Sequence, residues 1–543
     1  MSLKWFLSLL LTSSCFASPI LSPKLDSLIQ VNAQDTISVI IVFQETPTFI
    51  SKISTSAPID ALHTLYNRKI QSSSLEYIKT NSLTPTQEFW VVPAITATLS
   101  VATIKTLQSD DIAEIIIDAP IISLLPIERI QTSAATSVPL DLLNLTTAHS
   151  MGYTGKGRLA CTFDTGVQGD HPAYASRWRG LHEPLSECWF SFKYPSSTPV
   201  DISGHGTHTM GILVGDDFGG APKAEWIAAG VIDQGAIPLP IVISQIIAAF
   251  QWAMNPDGDI NTTTDMPDVI SNSWGITIGA LSDRDPCTIF TDIITNVEAV
   301  GILPIFAAGN ESTTGLRVPA DANGFAVGAI NDDKSIASFS SQGPSRCTGE
   351  IKPNVVAPGV AIYSSYKGSA YTYMTGTSMS APFIASLVLL ARQCNPDVSV
   401  QEIKAAILYS CEDLGAVGSD NVFGYGLPDA VKMLSYLGCD TALTDTIPTD
   451  TGTTPVDTLY TMMVEVYPNP VADYLNIDVC MPLYANVHIQ ILNLLGQEVF
   501  RHNFRVIREG AVQWDSKASA SGVYFVRVKI NGEVFNKKIL VLH

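Results

Sequence analysis

Positive charge is scarce in this chain. Its 543 residues hold 31 Lys and Arg against 51 Asp and Glu, a formal net charge of −20. No Lys/Arg cluster or basic stripe occurs, which sets aside nucleic acid and anionic membrane as partners. Cys-x-x-Cys spacing is also missing, so the common zinc frameworks have no support. Past Ala17 no apolar run has the length of a membrane-spanning helix. Charged residues make up only 15% and hydrophobic ones 46%, enough for more than one domain with a large core.

What is present begins with an export signal. Lys4 supplies a positive start, Trp5 to Leu11 an apolar segment, and Cys15-Phe16-Ala17 a small-x-small cleavage site. Residues 1–17 are therefore expected to be removed. Nine cysteines less Cys15 leave eight, an even number in an oxidising compartment, which favours disulfides. Cys394 and Cys411 end two successive helical patterns and are the first pair expected. Cys161 lies in an apolar strand and reads as a buried thiol.

From Thr36 to Ile122 the pattern is self-contained. Thr36–Phe43 is β-branched, Ile59–Lys79 has helical spacing, and Phe89–Val92 and Ile95–Leu99 read as a strand pair around Pro93. A helix over Val101–Leu107 and a strand over Ile112–Asp118 follow. The order β-α-β-β-α-β is that of a ferredoxin-like α+β unit, placed where a prodomain would lie (residues 18–135). Between 136 and 438 apolar strands alternate with amphipathic helices, which predicts an α/β, doubly wound, mostly parallel sheet. Residues 439–461 are Thr, Asp and Pro with little to bury and read as a linker. The remainder, 462–543, is strand and turn with Asn531-Gly532 as a hairpin signal, which predicts a small antiparallel β-sandwich.

Four polar residues stand out at the ends of these elements. Asp164 ends an apolar strand in Phe-Asp-Thr-Gly-Val167, where open α/β sheets keep their sites; a turn or cap Asp is the plain alternative. His205, flanked by two glycines in Gly204-His-Gly-Thr-His-Thr-Met-Gly211, suits a general base; a metal ligand with His208 is the alternative and lacks a third partner. Asn310 closes Phe306-Ala-Ala-Gly-Asn, with a side-chain amide able to donate. Ser378 sits in Gly376-Thr-Ser-Met-Ser-Ala-Pro382, between a glycine turn and a helix start, a place for a nucleophile or for simple N-cap chemistry.

In the order Asp164, His205, Asn310, Ser378, with Ser271-Asn-Ser-Trp-Gly275 and Phe339-Ser-Ser-Gln-Gly-Pro344, these words resemble the subtilase family of serine endopeptidases, in the style of its bacillopeptidase F-like branch. The resemblance covers about Thr136 to Gly438. It implies that Ser378 is the nucleophile, His205 the base and Asp164 its orienting carboxylate. The Asn310 side chain and the Ser378 amide would form an oxyanion hole, and Ser273, Trp274 and Gly275 would pair with the substrate backbone. Leu316-Arg-Val-Pro319 falls at the primary specificity pocket, where Arg317 either biases cleavage toward acidic residues or is a surface arginine pointing away. No cofactor is required for this chemistry. A calcium-binding Asp often found after the His-Pro of relatives is Ala173 here, so calcium content stays open. An esterase reading lacks its Gly-x-Ser-x-Gly elbow around Ser378.

The first region resembles a subtilase prodomain, which implies folding assistance, inhibition, and maturation between Asp118 and Ser137. The last resembles a type IX secretion sorting domain, through Val466-Tyr-Pro-Asn-Pro-Val471, Leu494-Leu-Gly-Gln-Glu-Val499 and Gly522-Val-Tyr-Phe-Val526. The expected partners are protein or peptide substrates, the chain's own prodomain and the type IX machinery. The expected location is the cell surface or the medium, reached through the periplasm and outer membrane.

Overall fold

A computed structural model describes residues 20–21, 23–31, 35–43, 73–107, 111–118, 128–130, 138–195, 198–232, 242–276, 285–439, 463–480, 485–494, 496–506, 509–517, 519–530 and 533–542. The signal, the linker past Cys439, the Asn531-Gly532 turn and the helical pattern before Ser73 lie outside these residues. Two compact units result, one of residues 1–393 with 412–429, the other of 394–411 with 430–543.

The first unit opens with β1 (Ile20–Leu21), α1 (Pro23–Val31), β2 (Thr36–Phe43), α2 (Ser73–Asn81), β3 (Glu88–Phe89), β4 (Ala94–Ser100), α3 (Val101–Thr106) and β5 (Ile112–Ile117). These strands form one sheet in the order β1-β5-β2-β4-β3, the ferredoxin-like arrangement with an added parallel edge strand. Neither β1 nor α1 was expected, because no strand or helix was assigned before Thr36. Ser100 caps α3 by accepting from the Thr103 amide at 3.0 Å.

β2 is buried on both faces, although antiparallel strands commonly leave one face wet. Val39, Ile41 and Phe43 pack with Leu25, Ile29, Leu75, Ile78, Val101 and Ile104 of its own helices. Ile40 and Val42, on the opposite face, join Ile116, Phe89 and Val91 in the core of the larger sheet's helical layer. Full burial of such side chains contributes roughly 1.5–3 kcal/mol each. That is why the segment reads as a continuous apolar run rather than an alternating one.

A short strand, β6 (Glu128–Ile130), leads into the main sheet: β7 (Leu159–Asp164), β8 (Trp189–Ser191), α4 (His205–Val214), β9 (Glu225–Gly230), α5 (Ile243–Met254), β10 (Val269–Asn272), α6 (Asp285–Ala299), β11 (Leu303–Ala307), β12 (Phe325–Ile330) and β13 (Val355–Pro358). Seven parallel strands run in the order β13-β12-β11-β10-β7-β9-β8. β14 (Ile362–Tyr366) and β15 (Ala370–Thr375) form an antiparallel pair on which β6 adds a third strand, before α7 (Thr377–Cys394). The inferred order reverses beside β7, since the chain moves from β7 to β9 on one side and to β10 on the other. Open α/β sheets place their crevice at such a point.

The ferredoxin-like sheet is docked on α5 and α6. The Gln251 side chain accepts from the Trp90 amide at 2.7 Å, and the Asn296 amide donates to the Val91 carbonyl at 2.7 Å. Asp118 caps the start of α5, accepting from the Ser244 amide at 2.9 Å and its hydroxyl at 2.6 Å. Burial pushes the Asp118 carboxyl above its usual range.

In the second unit, α8 (Val400–Tyr409) carries a capping box between Ser399 and Glu402, and α9 (Ala430–Tyr436) packs with it. A sandwich follows from β16 (Met463–Tyr467), β17 (Tyr474–Cys480), β18 (Ala485–Asn493), β19 (Glu498–Val506), β20 (Glu509–Asp515), β21 (Gly522–Ile530) and β22 (Glu533–Val541). Its sheets run β16-β17-β20 and β19-β18-β21-β22, all antiparallel. Val464, Leu475, Ile477, Val487, Ile489, Val526, Val528 and Ile539 fill the space between them.

Cys394 is bonded to Cys439, with Cα atoms 5.6 Å apart, and not to Cys411. This overturns the expected pair. Cys411, two residues past α8, donates its thiol to the Ile407 carbonyl at 3.3 Å. In the first unit Cys287 is bonded to Cys347, while Cys161 is a buried free thiol.

Candidate active site

Asp164 is the last of six buried residues in β7 and is only 2% exposed. Its Oδ1 accepts from His205 Nδ1 at 2.7 Å and from the Thr165 amide at 2.7 Å. Oδ2 accepts from Thr209 Oγ1 at 3.1 Å. Asp164 makes each of these contacts as an acceptor, which puts the proton of the shared bond on Nδ1 of His205.

His205 begins α4. Gly204 before it takes a left-handed φ of 90°, which glycine adopts without strain. At Gly206 an added Cβ would run into the Gly166 carbonyl and Asp164 Cβ, so close approach of α4 to β7 requires glycine there too. The two glycines flanking the imidazole are thus the device that brings helix start and strand end together. Burial alone would depress the His205 pKa. The Asp164 charge and hydrogen bond, with the Asp201 charge behind them, outweigh it and leave the imidazole above its ordinary value. Among the described residues Nε2, the other ring nitrogen, is buried without a partner.

Ser378 is the second residue of α7 and fully buried. Pro382, four residues on, has no amide to donate to the Ser378 carbonyl. That carbonyl is met instead by Ser273 Oγ at 2.9 Å, while Ser378 Oγ turns to the Ser273 carbonyl at 3.4 Å. Ser273 directly follows Asn272, which pairs with Phe163 of β7, so Ser273 lies beside Asp164 at the sheet edge. The reciprocal contact therefore fixes the start of α7 at that same edge. The Ser378 hydroxyl is therefore directed at Ser273 rather than at His205 Nε2.

Asn310 lies on the loop after β11. Its Oδ1 accepts from the Thr377 amide and hydroxyl, both at 3.0 Å, which fixes which end of the carboxamide points away. The point a Cβ on Gly376 would occupy is 3.4 Å from Asn310 Nδ2 and 3.8 Å from the Ser378 amide. Glycine keeps open a space that faces two N–H donors. Thr377 is thus a holder of Asn310. Ser380 bonds the Ala357 carbonyl of β13 at 3.1 Å, a packing role.

The remaining expected residues separate by environment. The Trp274 ring is fully buried against Phe290 and Phe306, with Nε1 on Asn272 Oδ1, so its side chain belongs to the core and only its backbone is available to a ligand. Gly275 abuts Arg317, where an added Cβ would come within 2.5 Å of Arg317 Cβ. Arg317 Nε and Nη2 donate to Glu311 Oε1 at 2.8 and 2.5 Å, and Nη1 to the Gly275 carbonyl at 3.4 Å. Glu311 Oε2 accepts from the Asn310 backbone N–H at 2.8 Å. Glu311 was not singled out from the sequence. Its only signal there is its place directly after Asn310.

His208 is fully buried, with Nε2 on the Thr372 carbonyl at 3.1 Å, and His205 Nδ1 is taken by Asp164. Among the described residues no three His, Cys, Asp or Glu side chains gather to hold a metal. Ala173 is buried, its carbonyl accepting from the Asp216 amide at 3.0 Å and from Arg177 Nη2 at 3.2 Å.

Residues 155–426, half of the chain, match the Subtilase family. The chain belongs to the subtilase family. It is 33% identical over 325 residues to Bacillopeptidase F of Bacillus subtilis (strain 168), an alignment covering 54% of this chain and 22% of that protein. Against Subtilisin BL of Lederbergia lenta it is 30% identical over 307 residues, 54% of this chain and 98% of the relative. Against the Alkaline protease of Alkalihalobacillus alcalophilus it is 28% identical over 351 residues, 63% and 80% respectively. The chain thus matches about a fifth of Bacillopeptidase F and nearly all of the shorter subtilisin. Residues 465–542 match the Secretion system C-terminal sorting domain, which marks the subtilase for export across the outer membrane to the surface or the medium. No helix among the described residues is long and apolar enough to cross a membrane.

Proposed function

We propose that this subtilase is an endopeptidase that hydrolyses peptide bonds of proteins through an acyl-enzyme on Ser378. The observation that carries the reading is the 2.7 Å bond from His205 Nδ1 to Asp164, which leaves a buried, unpartnered Nε2 at the sheet edge that also holds Ser378. His205 Nε2 takes the Ser378 proton as Oγ attacks the scissile carbonyl, then gives it to the leaving amine. Asp164 holds the tautomer and stabilises the imidazolium. The oxyanion forms in the space before Gly376, facing Asn310 Nδ2 and the Ser378 amide. Water then repeats the sequence on the acyl ester and frees the acid.

The substrate backbone is read by Ser273-Trp-Gly275 as an added strand, with affinity coming from main-chain hydrogen bonds. Arg317 enters this site as half of an ion pair. A guanidinium already held by Glu311 offers a substrate carboxylate less than a free one would, so selection for acidic residues is weak unless Glu311 swings away. Cleavage-site profiling on a peptide library reads this directly: a strong Glu or Asp preference before the cut means that the pair opens.

The ferredoxin-like region acts as an inhibitory prodomain, clamped on α5 and α6 through Asp118, Trp90 and Val91 and sharing their core. It is removed by a cut between Asp118 and Ser137. The test of the whole reading is proteolysis by the exported wild type against Ser378→Ala. The variant should keep its prodomain and cut no peptide; processing and cleavage at wild-type rates would contradict both steps.

A further inference from the structure

Asp201 lies on the loop before α4, three residues ahead of Gly204, and the sequence pattern gives it no role. It is 9% exposed and carries four hydrogen bonds, all accepted. Oδ1 accepts from Thr165 Oγ1 at 3.0 Å and from the Gly204 amide at 2.8 Å. Oδ2 accepts from the Thr207 amide at 2.8 Å and from Thr207 Oγ1 at 2.7 Å.

These four donors come from both sides of the catalytic pair. Thr165 directly follows Asp164, while Gly204 and Thr207 flank His205. Gly204, as N-cap of α4, has no side chain with which to satisfy the first amides of the helix, and Asp201 reaches in to take the Thr207 amide instead. Thr165 Oγ1 in turn accepts from the Gly206 amide at 2.9 Å. Residues 166 and 201 also form an isolated antiparallel bridge. The strand end and the helix start are therefore joined by one carboxylate through side chains, backbone and a shared threonine.

We infer that Asp201 is a positioning residue of this site, a second buried carboxylate that bolts the strand end carrying Asp164 to the helix start carrying His205. Its hydrogen bonds go to Thr165, Gly204 and Thr207, and none to the Asp164, His205 or Ser378 side chains. Its work is to hold the Asp164–His205 bond in register and to place a fixed negative charge behind the imidazole. Asp164 on β7 and Asp201 on this loop are the charged groups acting on His205, and both favour its protonated form. The inference rests on the triad reading proposed above.

An Asn at this position keeps one acceptor oxygen and turns an NH₂ toward two of the four donors, so the bolt fails on one side. In the matured protein, Asp201→Asn should lower kcat by about 10²-fold with KM within about threefold, the scale of a small misplacement of catalytic groups. The acid limb of kcat/KM should move to lower pH, because a negative charge that favours the imidazolium is gone. A folded Asp201→Asn enzyme with wild-type kcat and an unmoved limb would overturn the inference.

Should that variant fail to fold, Thr165→Val and Thr165→Ser decide the matter without changing any charge. Loss of the hydroxyl should cut kcat about tenfold, a smaller displacement than the Asn variant causes, and the serine should restore it. Equal activity of the two variants would overturn the inference. Failure of the triad reading itself shows separately, as full peptidase activity in Ser378→Ala.

Discussion

The parallel sheet of the first unit and the sandwich of the second treat polar residues differently. In β7, β11 and β12 every residue is buried, whereas β21 alternates buried and exposed positions through most of its length. Along a strand like β21 a charged side chain needs only to face water. At the end of a fully buried strand like β7, a carboxylate must be held by donors that the fold supplies, at the expense of other uses for them. Asp164 is such a residue. Chemistry is legible in this chain where polarity interrupts burial, and silent where polarity alternates with it.

The widest way to break this contrast is at Ser378. Replacing it with Ala should lower kcat by about 10⁶-fold while the thermal unfolding of both units stays unchanged. A large loss of stability instead would make the serine a packing residue. Next, Asn310→Ala should cost about 10²–10³ in kcat, with KM little affected, since the lost donor acts on charge that develops during reaction. A loss confined to KM would move Asn310 from the oxyanion hole to substrate binding.

The sandwich should answer in a different quantity. Ile489 is fully buried between its sheets, and Ile489→Ala should destabilise the second unit by roughly 2–5 kcal/mol by calorimetry. Peptidase kcat/KM on a small substrate should not change. A fall in catalysis would show that the two units are not separable in function.

The smallest effect is on pH. The base must be neutral on Nε2, and the Asp164 and Asp201 charges leave His205 above its ordinary value of 6.5 despite burial. The kcat/KM of the wild type should therefore rise with pH through a midpoint above 6.5, measured on a peptide without titrating groups. A midpoint below 6.5 would mean that burial wins over the two carboxylates.

The ferredoxin-like sheet, the parallel sheet and the sandwich were each legible because apolar period and length differ between them. β2 shows the limit: its run of Ile and Val reads as a strand, but not why both faces are apolar. Only docking on α5 and α6 explains the second face. Strand order beside β7 and the Cys394–Cys439 bond depend on which segments return to one another, which no local pattern encodes.

At the site, Asp164, His205, Asn310 and Ser378 were visible through their flanking glycines. A Cβ at 206 would run into the Gly166 carbonyl, and one at 376 would enter the space that faces Asn310 Nδ2 and the Ser378 amide. The partners that hold these residues were not visible. Glu311, Thr377 and Asp201 are ordinary loop and helix-start residues in sequence, and only their donors and acceptors set them apart. The pairing of Arg317 with Glu311, six residues earlier, was not foreseen, because that spacing carries no helical or strand period.

The central claim is that Asp164, His205 and Ser378 work as one nucleophilic unit. Treating the matured protein with a fluorophosphonate probe and mapping the adduct by peptide mass tests it most directly. The account predicts one adduct per chain, on Ser378, and none on a folded His205→Ala variant. A folded wild-type protein that takes no label, or takes it on another residue, would contradict it.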